Sequence, residues 1–281
     1  AKWGLHAVDI GKVTDDGIVR IKDNGATVVE VKAHALTEAP LYDMPAKKPA
    51  HQDEINKLDL SMVKVPADCN EVLLKLLHSP TIASKEWVYR QYDHMVQTNT
   101  MVLPGSDSAV IRIKGTHKAI AATSDCNSRY CYLNPHRGAQ IAVAEEVRNL
   151  SCSGAEPAAV TDCLNFGNPK KADRFWQFKN AIEGIISACE FFQVPVVSGN
   201  VSFYNESPRG AIYPTPTIGM IGIVENIKHV ATQNFKAEGD VIILLGENKA
   251  DLGGSQYLKE IYQVVQGDCP QLDLDLEKAV S

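Results

Sequence analysis

A chain of 281 residues is long enough to bury a sizeable core and to hold one large or two ordinary domains. Apolar residues make up 44% and charged residues 22%, and the net charge of -6 comes from acids and bases interleaved along the whole length. No stretch concentrates Lys and Arg and no apolar run reaches transmembrane length, so the composition argues against nucleic-acid and membrane partners.

The seven cysteines are odd in number and none has CxxC spacing, which speaks against a disulfide framework or a structural zinc site. Reduced thiols in a cytoplasmic protein explain them best. The N-terminus, Ala1-Lys2-Trp3-Gly4, is no secretory leader. Without an initiator Met, and with Val280-Ser281 closing a helical-looking stretch, the chain reads as a piece of something longer.

Residues 1–36 alternate in short strand patterns with turn signals at Asp15-Asp16-Gly17 and Asp23-Asn24-Gly25, which predicts a small meander. Residues 46–60 turn polar and read as a linker. Asp68 and Glu71 form a capping pair ahead of Val72, Leu73, Leu76 and Leu77, so a helix begins there, and another is expected over 85–92. Residues 110–114 and 119–123 predict a hairpin. Helices follow over 138–150 and 174–192, and short strands over 158–160, 194–197, 217–224 and 241–245. Strands alternating with helices define an α/β (α+β layered) fold.

Three polar groups fall just past predicted strand ends: Asp125, Asp162 and Gly199-Asn200. Ligands collect at such an edge in α/β sheets, because loops converge there and helix N-termini point at it. In Thr161–Pro169 the Asp162 carboxylate suits Mg2+ or a nucleotide, or Asp162 and Asn165 simply make Asx turns. Gly199 permits close backbone approach, Asn200 offers a hard neutral oxygen and Ser202 a hydroxyl, although Gly-Asn is also an ordinary turn dipeptide. Arg129 suits a phosphate clamp or an internal pair with Asp125. Leu252-Gly253-Gly254-Ser255 precedes a helix, with Ser255 its natural cap. The eight histidines form no constellation, and neither a P-loop nor GxGxxG is present.

Read together, TSDCNSRYCYLNP (123–135), CSGAEPAAVTDCLNFGNP (152–169), VPVVSGNVSFYNE (194–206), YPTPTIGMIG (213–222), GDVIILLGE (239–247) and LGGSQYL (252–258) resemble the second half of the small, single-chain form of the phosphoribosylformylglycinamidine synthase family. Residues 83–100 share the likeness, and the 3–42 region does so more loosely. The resemblance implies the aminoimidazole-ribonucleotide-synthetase-like superfamily, two tandem two-domain units, and paired N-terminal domains that build a shared β-barrel. It places 1–45 at the end of a preceding unit, 46–60 as linker, 61–230 as the N-terminal domain of the second unit, and 231–281 as the start of a C-terminal domain that is cut short.

The activity implied is conversion of formylglycinamide ribonucleotide to its amidine with ATP, Mg2+ and glutamine-derived ammonia. The partners implied are a glutaminase subunit, a small bridging subunit and the missing N-terminal half. By resemblance Asp162 and Gly199 contact ATP, Asn200 ligates Mg2+ and Ser202 contacts the ribonucleotide, while the catalytic histidines lie outside this chain. Two readings stand beside it: another ATP-dependent member of the superfamily, such as a selenophosphate synthetase or thiamine-phosphate kinase relative, and a catalytically silent nucleotide-binding half that braces the barrel.

Overall fold

The computed structural model describes residues 2–38 and 41–281. They fall into two compact units, divided between Asp43 and Met44. In the first, β1 (Ile18–Asp23) and β2 (Ala26–Lys32) form an antiparallel hairpin, followed by the short helix α1 (His34–Thr37). Asp23 pairs with Ala26, so Asn24-Gly25 is a two-residue turn. Both of its residues have positive φ, 48° and 86°, which suits the right-handed twist of the strands it joins. The expected meander is thus one hairpin, and none of its described residues is buried.

The second unit opens with α2 (Gln52–Ile55), α3 (Cys69–His78) and α4 (Glu86–Tyr89). The polar stretch 46–60 is docked here: Gln52 is buried and its amide donates to the Leu133 carbonyl at 2.6 Å. Asp68 caps α3 by accepting from the Asn70 N–H, as its sequence signal predicts.

Next come the strands β3 (Thr100–Val102), β4 (Ala109–Arg112) and β5 (Ala119–Asp125), then the helices α5 (Ser128–Leu133) and α6 (Pro135–Cys152). They are followed by β6 (Glu156–Asn165), α7 (Ala172–Phe192), β7 (Val196–Ser202), the small hairpin of β8 (Glu206–Ser207) and β9 (Gly210–Ala211), and β10 (Thr215–Val224). The helices α8 (Gln256–Tyr262) and α9 (Leu274–Val280) close the unit.

Six strands form one sheet in the order β3-β4-β5-β10-β6-β7. β10 lies antiparallel to both β5 and β6, and β7 is parallel to β6. It follows that β5, β6 and β7 all run the same way and end at one edge of the sheet. The core sits on one face, where α6 and α7 pack their small apolar residues against Val110, Ala121, Val160, Leu164, Ile218 and Met220. The opposite face carries Ile111 and Ile221, each over 40% exposed.

One predicted strand is missing. Residues 241–245 adopt no strand, and Val241, Ile242, Ile243, Leu244 and Leu245 are all 71–81% exposed. Their continuous apolar character fits a strand buried on both faces, and among the described residues nothing pairs with or covers them.

Candidate functional site

The strands run further than their apolar runs imply. β6 continues to Asn165 and β7 to Ser202, so Asp162, Gly199, Asn200 and Ser202 lie inside the strands. This corrects the expectation of loop residues just past the strand ends, and it removes the Asx-turn alternative for Asp162. Ladder hydrogen bonds to β7 and β10 extend these strands through polar residues that composition alone assigns to loops.

Strand register then sorts the four residues onto two faces. Ile218 pairs with Asp162 and with Asp125, and Asp162 pairs with Gly199. Ile218 is fully buried under the helices, so this row faces the helix layer. The contact is intimate: a Cβ on Gly199 would lie 2.5 Å from an Asp162 carboxylate oxygen. Burial pushes the Asp162 carboxyl above its ordinary value, and the Asn200 backbone N–H opposes that shift.

Asn200 and Ser202 occupy the other face, together with Thr161, Ser198, Cys163 and Asn165. The Thr161 and Ser198 hydroxyls lie 2.7 Å apart and fix this orientation. The expectation that Asn200 and Ser202 share a side holds, and Asp162 with Gly199 stands on the reverse of the same two strands. β7 is the sheet's edge, and Gly199 leaves no side chain between the Asp162 carboxylate and that edge. A ligand bent around β7 at Gly199 would meet groups from both faces.

The remaining sequence candidates take structural roles. Arg129 donates through Nε to the Gly254 carbonyl at 3.1 Å, so it ties α5 to the 252–255 loop. Ser255 caps α8 by accepting from the Leu258 N–H. Gly253 is required by packing, since a Cβ there would fall 1.7 Å from the Asp268 carbonyl oxygen. Among the described residues, no three His, Cys, Asp or Glu side chains stand close enough to hold a metal ion. The Asn200 side chain carries one neutral amide oxygen, a donor type compatible with a hard ion such as Mg2+ that takes most of its ligands from phosphates and water.

A polar hollow of about 570 Å³ that the sequence reading missed opens beside β5. Its walls include Asp107, Thr123, Asp125, Glu145 and Asn149. Burial and the nearby Asp125 push the Glu145 carboxyl up to about 7. Glu146, next along α6, is fully buried with neither carboxylate oxygen hydrogen-bonded among the described residues, and burial raises it to about 7 as well.

Residues 105–224 match the family of AIR synthase related proteins, N-terminal domain. The mixed sheet with its two long helices on one face is that domain. Across 278 residues, 99% of this chain, the sequence is 58% identical to the phosphoribosylformylglycinamidine synthase subunit PurL of Caldanaerobacter subterraneus subsp. tengcongensis. The chain thus matches one stretch of the PurL subunits of phosphoribosylformylglycinamidine synthase, and it spans 38% of that relative's length. Two T. maritima PurL structures agree in fold at 31% identity. The one complexed with ATP covers 77% of this chain and 33% of its own, with a TM-score of 0.57. The one complexed with FGAR covers 77% and 32%, with a TM-score of 0.58.

Among the described residues, no helix is long and apolar enough to cross a membrane.

Proposed function

We propose that this chain supplies the second-unit part of an ATP-dependent carbon–nitrogen ligase of purine biosynthesis, which turns formylglycinamide ribonucleotide into its amidine in the cytoplasm. The observation that carries this reading is the Asp162–Gly199 contact at an open sheet edge, with Asn200 and Ser202 on the reverse of the same strands. The ATP and FGAR complexes of T. maritima PurL support it. The domain plan follows the resemblance: an end segment to residue 45, a connection over 46–60, the synthetase-like N-terminal domain over 61–230, and the start of a further domain from 231. The glutaminase, the bridging subunit and a first unit bearing the catalytic histidines complete the assembly.

In this reading the chain's residues bind and orient. ATP makes the amide oxygen a leaving group and ammonia then attacks the carbon, so the protein must hold the nucleotide, the amide and a neutral metal ligand in fixed register. Nucleotide approaches β7 at Gly199, where no Cβ intrudes and the Asp162 carboxylate stands behind. Asn200 offers Mg2+ an oxygen without adding negative charge beside the phosphates. Ser202, two residues on, presents its hydroxyl to the ribonucleotide on the Asn200 side. Mg2+ supplies charge neutralisation of the phosphates when bound.

The test is Asp162→Asn in a full-length synthase that carries this sequence. The apparent KM for ATP should rise about tenfold or more with the melting temperature nearly unchanged. Unaltered ATP kinetics would return Asp162 to a packing role against Gly199 and favour the silent structural half.

A further inference from the structure

The face that carries Asn200 and Ser202 extends across three strands as a ladder of uncharged polar groups. Thr217 of β10 pairs with Cys163 of β6, which pairs with Asn200 of β7. One row on, Thr215 pairs with Asn165, and Asn165 with Ser202. In the other direction Ser124, Gly219, Thr161 and Ser198 form a third row. Directly paired residues share a face, so these rows form one polar platform. No Lys, Arg, Asp or Glu stands among them, and beyond Gly219 the face turns apolar with Ile221 and Ala159.

Most of the platform's hydrogen-bonding groups are already engaged. Thr161 and Ser198 bond each other at 2.7 Å. The Thr215 hydroxyl donates to the Tyr213 carbonyl at 2.8 Å. The Asn165 amide donates to the Cys163 carbonyl at 2.9 Å, and Ser202 exchanges bonds with Asn205. Thr217 is different. It is half-buried, and its hydroxyl enters no hydrogen bond among the described residues, nor does the Asn200 side chain. These two groups stand at opposite ends of one row, two strand spacings or about 10 Å apart, with the small Cys163 side chain as the floor between them.

We infer that Thr217 is a further substrate-binding residue, whose hydroxyl bonds the uncharged ribosyl-amide part of the ribonucleotide while Ser202 holds its other end and Asn200 faces the metal. This rests on the reading of Asn200 and Ser202 as metal- and substrate-facing. The neutrality of the Thr217 end directs the sugar and amide there, since a phosphate would need a cation that this end of the row lacks. A row of about 10 Å matches the length of a ribosyl amide and exceeds that of a bare anion. Removing the Thr217 hydroxyl should therefore weaken the ribonucleotide and leave the nucleotide triphosphate untouched, because Thr217 stands two strands from Asn200 and the Asp162–Gly199 contact lies on the other side of the sheet.

The experiment compares Thr217→Val, Thr217→Ser and Ser202→Ala in the full-length synthase, with KM measured for both substrates and melting temperature as the control for folding. Thr217→Val should raise the ribonucleotide KM about tenfold, with the ATP KM unchanged and Thr217→Ser restoring most of the loss. If Thr217→Val has no effect while Ser202→Ala raises the ribonucleotide KM, Thr217 is not a ligand and the reading of this face stands. If neither changes it, the platform does not hold substrate and both statements fall. Should Thr217→Val lower the melting temperature, Thr217→Ala serves in its place, and a loss for Ala that Ser does not share supports the contact. A rise in the ATP KM alone would also overturn it.

Discussion

At the scale of single residues, Glu146 shows what burial does to chemistry. Its carboxyl is enclosed between α6 and the sheet, and burial lifts it to about 7, so the folded protein holds a proton there that the unfolded chain releases near 4.5. Stability from this group is complete below the unfolded value and is lost as pH climbs to about 7. Glu146→Gln keeps the shape without the titration. It should raise stability near pH 8 by on the order of 1–3 kcal/mol, with the gain shrinking toward pH 5. Urea unfolding at both pH values measures this, and an equal effect at the two would show that Glu146 stays ionised in the fold. The sequence carries a signal for this residue, because Glu146 falls at helical spacing from Ala139, Val143 and Leu150 on the buried stripe of α6. The sequence names the candidate ligands by resemblance, but their division between faces is not legible in it. Period-two alternation joins Asn200 to Ser202 within one strand, whereas placing Asp162 on the reverse requires the register between β6 and β7.

At the scale of elements, the long helices were legible because their apolar spacing is strong, and α6 and α7 extend the predicted spans by a few residues at each end or less. Strand lengths were less legible. A polar residue such as Asp162 or Asn200 reads as a strand terminator until a neighbouring strand supplies its backbone partners. The pairing of α6 with α7 depends on Gly184, which brings the helices together at a point where local propensity argues the opposite way. Exchanging Gly for Ala inside a helix ordinarily gains about 1 kcal/mol. Here an added Cβ would lie 2.2 Å from the His136 carbonyl oxygen and 3.1 Å from the Ala139 side chain. The nearer neighbour is backbone and cannot rotate away, so overpacking outweighs propensity. Gly184→Ala should lose about 1–3 kcal/mol in urea unfolding. A gain of stability instead would mean that the two helices separate at little cost.

At the scale of the whole molecule, the chain exposes apolar surface that its own described residues do not cover. Val241, Ile242, Ile243, Leu244 and Leu245 stand 71–81% exposed, without strand pairing, and are followed by Gly246. Side chains on both sides of this segment are apolar, and its backbone donors and acceptors are free to pair with another extended chain. High β-propensity, no charge and no proline are the features that drive such pairing. The open face of the sheet adds a paired row of Ile111, Ile120 and Ile223 with Ile221 beside it, but these are less exposed than 241–245, Ile111 and Ile221 standing at 42% and 44%. The 281-residue chain should therefore self-associate at micromolar concentration, chiefly through 241–245. Ile243→Lys places a charge in the middle of the run and removes no described contact, so it should shift the association midpoint by about tenfold or more at unchanged melting temperature. Ile221→Lys on the sheet face serves as the comparison and should shift it less. Sedimentation velocity across a concentration series decides between them. A wild-type chain that stays monomeric at about 100 μM, or an Ile221→Lys effect larger than that of Ile243→Lys, would move the sticky surface away from 241–245.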